Sequence, residues 1–217
     1  MRDPTTNHAA IMFLICACPI ASAGADDGSL CSYDTYAWNV EQRAAVDRAR
    51  IEKPRAELSE EEEVDASTGC SVCEQDQVWV ELDGVPPVRI CRVLAADIED
   101  VLRMLRDQGF PLEQLEGYRP GRTRGEVDER GNRTSFSNHA YGIAIDINPH
   151  LNGLYTDCIE FGPGCRLIRG GPWRPGHPGT LSDGDAAVRA LEALGLRWGG
   201  SIRGRQKDYM HFSPSGY

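Results

Sequence analysis

A histidine and an aspartate, two residue types that bind metal ions, lie at either end of a short apolar segment. His139 precedes Asp146 by seven residues, and Gly142 between them allows the backbone to bend. From Ile143 to Ile147 the isoleucines alternate with Ala144 and Asp146, which is typical of a half-buried strand. An aspartate in such a strand is unfavourable unless it is paired or binds a metal. Because imidazole and carboxylate groups are common zinc ligands, the segment predicts part of a zinc site.

A second histidine, His211, lies near the end of the sequence and can supply a third ligand. A His-Asp-His set leaves the fourth zinc position open for water, as in catalytic zinc sites. Asp208 would lie near the metal without binding it and could act as the general base on that water. Asp208 and His211 would face opposite ways on an ideal strand, so we expect a bend before this strand, near Gly204. Each residue alone is more typical of a structural or surface position, and only the combination indicates a site.

The order of these motifs resembles a known family. Ser-x-His, the aspartate, a later Trp-Gly-Gly and a closing Asp-x-x-His-Phe are similar to the zinc D-alanyl-D-alanine carboxypeptidase family. That family includes the vancomycin-resistance D,D-peptidases and phage L-alanyl-D-glutamate endolysins, and the hedgehog signalling domain shares its fold. The stretch from Gly117 to Pro120 resembles the family's Gly-Tyr-Arg motif. The resemblance covers about Leu94 to Phe212 and does not reach the segment before Cys91.

The resemblance implies an α+β fold of the hedgehog/D,D-peptidase type, in which helices flank a mainly antiparallel sheet that carries the zinc site. It implies a zinc metallopeptidase that hydrolyses peptidoglycan stem peptides, with D-alanyl-D-alanine carboxypeptidase activity as the first expectation. An L-alanyl-D-glutamate endopeptidase is an alternative within the same chemistry. A non-catalytic hedgehog-like module that binds zinc and a partner is the alternative from another class. Asp208 favours an enzyme, because a non-catalytic site needs no base.

Further site residues follow from the same resemblance. Arg119 would stabilise the oxyanion, and Ser137 would hold the carboxylate or backbone of the substrate. Tyr141 and Trp198 are expected to line the substrate cleft, although aromatic residues on strands are more often part of a core. Without the other motifs, a surface ion pair would be the simpler interpretation of Arg119, and a loop serine that of Ser137. The sequence Ser201-Ile202-Arg203 departs from phage members of the family, which leaves subsite specificity open.

The charge balance and the N-terminus restrict the partners and the location. The net charge of −10 gives no general attraction to nucleic acid or anionic lipid. The apolar run from Ala9 to Ala23 ends in a small-x-small pattern, so residues 1–23 are predicted to be a signal peptide. A lipoprotein signal ending at Cys18 is an alternative, while Pro19 argues against a buried helix. We therefore expect an exported, periplasmic or extracellular monomer with no transmembrane span in the mature chain.

Six cysteines remain after the predicted signal peptide. An even set in an exported chain indicates disulfides, and their pairing is open to fifteen connectivities. Cys158 and Cys165 flank a short Gly/Pro loop and are the best-supported pair. Cys70-x-x-Cys73 could instead be a redox or metal-binding motif, but no thioredoxin-like context surrounds it.

Residues 24–90 form an acidic, cysteine-containing segment or small subdomain of unassigned role, and residues 91–217 form the predicted catalytic domain. Within the first segment, a helix is predicted over Ala37–Glu52, and the acidic run Glu60–Glu63 is expected to be solvated or disordered. Two strands, Gln77–Leu82 and Val88–Val93, are predicted to form a hairpin through Asp83-Gly84.

In the second segment, apolar spacing predicts helices over Ala95–Gln108 and from Ser182 or Asp183 to Leu194. Short strands are predicted at Leu115–Tyr118, Leu196–Trp198 and Tyr209–Phe212. Two stretches are expected to be irregular: the charged loop Arg122–Arg133, and the long Gly/Pro-rich segment Asn152–Thr180, which could form a wall of the cleft or a surface excursion.

Overall fold

The computed structural model describes residues 29–65 and 68–217, so the predicted signal peptide lies outside the described residues. The helices are α1 (Arg92–Asp107) and α2 (Ala186–Ala193). The strands are β1 (Leu30–Asn39), β2 (Ala44–Pro54), β3 (Glu63–Asp65), β4 (Cys70–Ser71), β5 (Gln77–Leu82), β6 (Val85–Cys91), β7 (Leu115–Glu116), β8 (Arg122–Val127), β9 (Arg133–Phe136), β10 (Ile145–Ile147), β11 (Leu154–Thr156), β12 (Arg166–Arg169), β13 (Arg197–Trp198), β14 (Gln206–Asp208) and β15 (His211–Ser213). The predicted α+β class with mostly antiparallel pairing is confirmed.

The sheet that carries the candidate site has the strand order β13-β15-β10-β7. In the central strand β10, Asp146 pairs with His211 on one side and with Glu116 on the other. Ile145 and Ile147 are fully buried with Phe212 of β15, so a packed core holds this part of the backbone. The two predicted ligands of β10 and β15 therefore start from directly opposite backbone positions.

Helix α1 forms because its apolar residues recur at helical spacing. Ile98, Val101, Leu102 and Leu105 are buried along one face and pack against the β5–β6 hairpin. Gly109 follows the helix with a φ of 76°, a conformation that favours glycine. The predicted helix and hairpin are confirmed, although β6 begins earlier than predicted and includes both prolines.

Helix α2 begins later than predicted, at Ala186. Ala187, Val188 and Leu191 are its buried face and pack in the same core as α1. Ahead of it, the carboxylate of Asp185 accepts a hydrogen bond from the backbone N–H of Ser182 at 2.7 Å, so this turn precedes the helix instead of forming its first residues.

The N-terminal part of the described chain is a β-hairpin, and the helix predicted over Ala37–Glu52 was wrong. Strands β1 and β2 pair antiparallel, and Arg43 in the connecting turn has a φ of 53°. Cys31 and Tyr33, two residues apart on β1, both belong to a small buried core cluster, and Ser32 between them does not. Strand β1 also pairs in parallel with β8 at Arg122, a partner far along the sequence.

In the acidic run Glu60–Glu63, the side chain of Glu62 is buried. The prediction that the run is solvated or disordered was therefore wrong at this position. The Glu62 carboxylate accepts hydrogen bonds from Lys53 Nζ and Tyr33 Oη, each at 2.5 Å, and from Ser59 N at 2.8 Å. Burial alone would raise the pKa of Glu62, but these hydrogen bonds lower it to about 2. The side chain of the neighbouring Glu61 stays exposed.

Three disulfides connect Cys31 to Cys73, Cys70 to Cys91, and Cys158 to Cys165. The predicted local Cys158–Cys165 pair is confirmed. Both cysteines of the C-x-x-C motif bond to other partners, so they form neither a redox pair nor a metal site here. The Cys70–Cys91 bond ties the start of α1 to β4.

Two regions expected to be irregular contain strands. The predicted loop Arg122–Arg133 holds β8 and the start of β9, which pair antiparallel. The Asn152–Thr180 segment holds β11 and β12, and β11 also pairs with β14, so that Leu154 lies opposite Asp208. The segment therefore positions the predicted base.

Val88 and Ile90 of β6 share the main core with α1, and the division of the chain at residue 91 remains a prediction. Across the described ranges, no helix has the length and apolarity needed to cross a membrane.

Candidate metal centre

His139 lies in a short 3₁₀ helix, Asn138–Tyr141, directly after β9. Gly142 ends this helix with a φ of 67°, and a Cβ there would lie 1.9 Å from Gln77 Oε1, so no other residue fits without displacement. The imidazole is buried, and its Nδ1 lies 2.8 Å from the carbonyl oxygen of Gly117. Because that carbonyl can only accept, Nδ1 carries the hydrogen, and the lone pair of Nε2 is directed into the site.

Asp146 and His211 complete a compact group around that lone pair. Asp146 Oδ1 lies 3.1 Å from His139 Nε2 and 2.9 Å from His211 Nδ1. The two imidazole nitrogens are 3.2 Å apart. All three residues are buried, and their ligand atoms lie within 4.8 Å of one another. The three residues singled out in the sequence are thus brought together.

The bend that aligns Asp208 with His211 lies at Tyr209–Met210, between β14 and β15, and not before the strand at Gly204. Tyr209 packs flat against Trp173 with ring centroids 3.8 Å apart, and its backbone oxygen accepts a 2.8 Å hydrogen bond from the Trp198 indole. A pair of packed aromatic residues therefore holds the turn between the predicted base and the third predicted ligand.

The donor set fits a divalent metal ion. His139 Nε2 without a hydrogen and the carboxylate Oδ1 of Asp146 are two acceptors only 3.1 Å apart, an arrangement that needs a cation or a proton between them. Two imidazoles and one carboxylate are a common catalytic zinc set, which leaves a further position for water. Arg119 Nη2 bonds the other oxygen of Asp146 at 2.9 Å and so orients the carboxylate.

The ionisation states of His139 and Asp146 agree with ligand chemistry. Burial lowers the pKa of His139 to about 4, so its imidazole is neutral at neutral pH. Burial alone would raise the pKa of Asp146, but the two neighbouring imidazoles hold it well below its usual range. Burial lowers the pKa of His211, but the Asp146 carboxylate raises it, and the net shift of this pKa is upward. A metal ion would displace the proton that His211 holds towards Asp146.

Asp208 lies within the electrostatic field of this group. Burial raises its pKa to about 6, opposed by the positive charge on His211, while the Asp146 carboxylate adds to the rise. Its Oδ1 is buried and has no hydrogen-bond partner among the described residues. A carboxylate with a pKa close to neutral, next to a metal-ligand set, is suited to accept and return a proton.

Arg119 is held beside the ligands by its own backbone and by Asp146. Its N–H donates to the carbonyl oxygen of His139 at 3.0 Å. Its Nε lies 3.7 Å from Glu116 Oε2, and the same carboxylate oxygen accepts a 2.6 Å hydrogen bond from Arg169. Sequence reasoning missed Glu116 and Arg169. The carboxylate three residues before Arg119 was a local signal for Glu116, whereas only folding brings β12 and Arg169 here.

Ser137, Tyr141 and Trp198 lie in different surroundings. Ser137 is 7% exposed, and its Oγ has no partner among the described residues. The Tyr141 hydroxyl donates to the carbonyl of Glu61 at 2.7 Å, so this ring lies against the N-terminal segment. Trp198 is 3% exposed in the main core with its indole N–H satisfied. Substrate contact by these three residues stays a prediction.

Unpaired polar atoms are concentrated at this site. Among the described residues, seven buried side-chain atoms lack a hydrogen bond. Four of the seven belong to residues that were predicted from the sequence to form the site: Arg119 Nε, Ser137 Oγ, Asp208 Oδ1 and His211 Nε2. Buried polar groups are nearly always paired in folded proteins, so such a concentration indicates groups that bind water, an ion or a substrate.

The family model described as D-alanyl-D-alanine carboxypeptidase matches residues 130–214. The matched stretch contains the three clustered residues and Asp208, while Arg119 precedes it. The match supports a peptidase related to the zinc peptidases, and dependence on zinc is inferred from that family. No curated protein and no solved structure matches the chain.

Proposed function

We propose that this chain is a zinc-dependent peptidase that hydrolyses peptidoglycan stem peptides and acts as a D-alanyl-D-alanine carboxypeptidase. The observation that carries the proposal is the convergence of His139 Nε2, Asp146 Oδ1 and His211 Nδ1 within hydrogen-bonding distances. Asp208 beside them adds a titratable carboxylate that a purely structural metal site would not need. The family match over residues 130–214 supports the same chemistry.

The proposed reaction assigns a distinct task to each residue. His139, Asp146 and His211 would hold a zinc ion, which when bound would polarise the scissile carbonyl and lower the pKa of the attacking water. Asp208 removes the proton from that water and delivers it to the departing amine. In the metal-free chain its burial raises its pKa to about 6, which makes its carboxylate a stronger base than that of an exposed aspartate.

Arg119 serves both as an orienting group and as a cation for the oxyanion. One of its nitrogens bonds Asp146, while its Nε makes no hydrogen bond. A preorganised cation at a developing negative charge is worth about 3 kcal/mol of barrier. Ser137 lies two residues before His139, and its unpaired hydroxyl is free to hold the substrate's carboxylate or backbone.

The proposal also covers the fold type, the domain division, the location of the protein and its partners. The fold is of the hedgehog/D,D-peptidase type, with the catalytic domain in residues 91–217 and the preceding segment packed on it. Export to the periplasm or the extracellular space is supported by the three disulfides, which persist in oxidising compartments. The net charge of −10 argues against nucleic acid as a partner.

Mass spectrometry of soluble products from purified peptidoglycan fragments, with and without a chelator, tests this function. Chelator-sensitive loss of a terminal D-alanine is the expected result. Cleavage after L-alanine would identify an endopeptidase instead. Zinc binding without any product would favour the non-catalytic binding module.

Asp208→Asn is the matched control for this experiment. It keeps the three proposed ligands, so it should bind zinc and release no product. Product formation by this variant at the wild-type rate would refute the assignment of Asp208 as base.

A further inference from the structure

Two supports set the orientation of His139. The first is the carbonyl oxygen of Gly117, which lies 2.8 Å from the ring Nδ1. The second is the 3₁₀ helix Asn138–Tyr141, which carries His139 and ends at Gly142. Because the hydrogen bond made by one ring nitrogen fixes the direction of the other, a shift of either support would misdirect Nε2.

The first support is held by strand β6 and by the C-x-x-C loop (residues 70–73). The carbonyl oxygen of Arg89 in β6 accepts a hydrogen bond from Tyr118 N at 2.6 Å. A Cβ on Gly117 would lie 2.1 Å from the same oxygen, so this close approach requires glycine. The Tyr118 hydroxyl donates to the carbonyl oxygen of Val72 in the loop at 2.7 Å. Gly117 is therefore held in place through its neighbour at two points.

The same part of the chain holds the second support. The carbonyl oxygen of Gly142 accepts a hydrogen bond from Cys91 N at 2.8 Å. The side-chain amide of Gln77 donates to two carbonyl oxygens of the C-x-x-C loop and, at 3.4 Å, to that of Tyr141. Ala140 of the 3₁₀ helix is fully buried in one apolar cluster with the loop. Both supports of His139 thus rest on the C-x-x-C loop and the β5–β6 hairpin.

The C-x-x-C loop is itself fixed in place. One of its disulfides links it to β6 and the other to β1. Val72 lies between the two bonded cysteines and is fully buried, and its N–H donates to the carbonyl oxygen of Glu62 at 3.0 Å. A functional side chain keeps its geometry only when the groups behind it are fixed, and this loop meets that condition.

We propose that the C-x-x-C loop positions His139 for metal binding, with Tyr118 as the positioning residue that connects the loop to Gly117. The loop lies outside residues 130–214, which the family model matches, so the proposal gives the N-terminal segment a role. A ring that is already oriented loses little freedom when a metal binds, and the loop should therefore raise the affinity for zinc. This inference rests on the proposed function only in taking His139 as a metal ligand.

The zinc affinity of the full chain tests the inference. Tyr118→Phe removes only the hydroxyl that reaches the loop. It should weaken zinc binding about tenfold in competition with a chromophoric chelator, the lower end of the effect of losing an outer-shell partner, because it acts through Gly117. While nearly all molecules are folded, a loss of global stability leaves this affinity unchanged.

Tyr33→Phe is the matched control. The Tyr33 hydroxyl also makes a hydrogen bond, to Glu62 at 2.5 Å, and its ring lies in the same apolar cluster as the loop. This variant should lose stability and keep the wild-type affinity for zinc. An unchanged affinity in Tyr118→Phe, or an equal loss in Tyr33→Phe, would overturn the inference.

Nitrogen NMR of the histidine rings in the metal-free protein separates failure of the inference from failure of the proposed function. If the wild-type chain binds no zinc, the proposed function fails and the ring signals decide the inference. Tyr118→Phe should shift the Nδ1 signal of His139, because its hydrogen bond to Gly117 weakens, and Tyr33→Phe should leave it in place. An unshifted signal in Tyr118→Phe, or equal shifts in both variants, would then refute the positioning role.

Discussion

Replacing Asp208 by asparagine should remove activity and stabilise the metal-free protein at the same time. The side chain keeps its shape while a buried negative charge is lost. Burial raises the pKa of this carboxyl from 3.8 to about 6. Because one pKa unit corresponds to about 1.36 kcal/mol, the ionised side chain destabilises the folded state by about 3 kcal/mol.

The sign of the effect depends on pH. Below pH 4, Asp208 is protonated in both the folded and the unfolded chain, so the variant should have wild-type stability. Between pH 4 and about 6, the unfolded chain releases the proton while the folded chain keeps it, and the wild type loses stability. Above pH 6 the full penalty applies, and Asp208→Asn should be more stable by about 3 kcal/mol, or about 6–12 °C in Tm.

Thermal and urea unfolding of chelator-treated protein at pH 4 and pH 7.5 measure this difference. Asp83→Asn, an exposed change in the β5–β6 turn, is the matched control and should show no gain. With zinc restored, Asp208→Asn should keep the metal and lose about 10²–10⁴-fold in kcat. Equal stability of variant and wild type at pH 7.5 would refute the desolvated carboxylate, and full turnover would refute its role as base.

Three further changes test other parts of the structure. His211→Ala should lose both zinc, measured by metal analysis of the dialysed protein, and turnover; a full zinc content would contradict its role as ligand. Glu62→Gln should cost about 3 kcal/mol at pH 7 in urea unfolding, and most of this difference should be gone at pH 2. A carboxylate with a pKa lowered from 4.5 to about 2 stabilises the fold above pH 4.5 and loses this contribution as pH falls through 2. Glu116→Gln should lower kcat about tenfold with zinc content unchanged, because Arg119 loses an orienting charge; an unchanged kcat would show that Asp146 alone positions it.

Much of the candidate site could be predicted because its charged and imidazole side chains lie in sequence surroundings that are unusual for them. Asp146 stands in a run of isoleucines, where a carboxylate has no reason to be buried unless it is paired or binds a metal. His139 and His211 lie in motifs whose order matches a family. The structure brings these three residues together as expected. Helix α1 was predictable for a similar reason, since helical periodicity is a local property of sequence.

The residues around the ligands could not be predicted in the same way. Arg169 reaches Glu116 only because β11 pairs with both β12 and β14. Strands β8 and β9 pair in a stretch whose charge and glycine content resemble a loop. Strand pairing depends on partners elsewhere in the chain, so local composition does not reveal it.

The sequence by itself determined the chemical groups: two imidazoles, a carboxylate in an apolar strand and a second carboxylate close to the last histidine. It also determined the local elements that depend on neighbouring residues, such as α1 and the Cys158–Cys165 disulfide. Only the tertiary structure decided that residues 37–52 form parts of two paired strands with a turn between them. It also decided the pairing of the two longer-range disulfides. It also decided the burial that raises the pKa of Asp208 to about 6. These features depend on desolvation and contacts between distant residues, which exist only once the chain has folded.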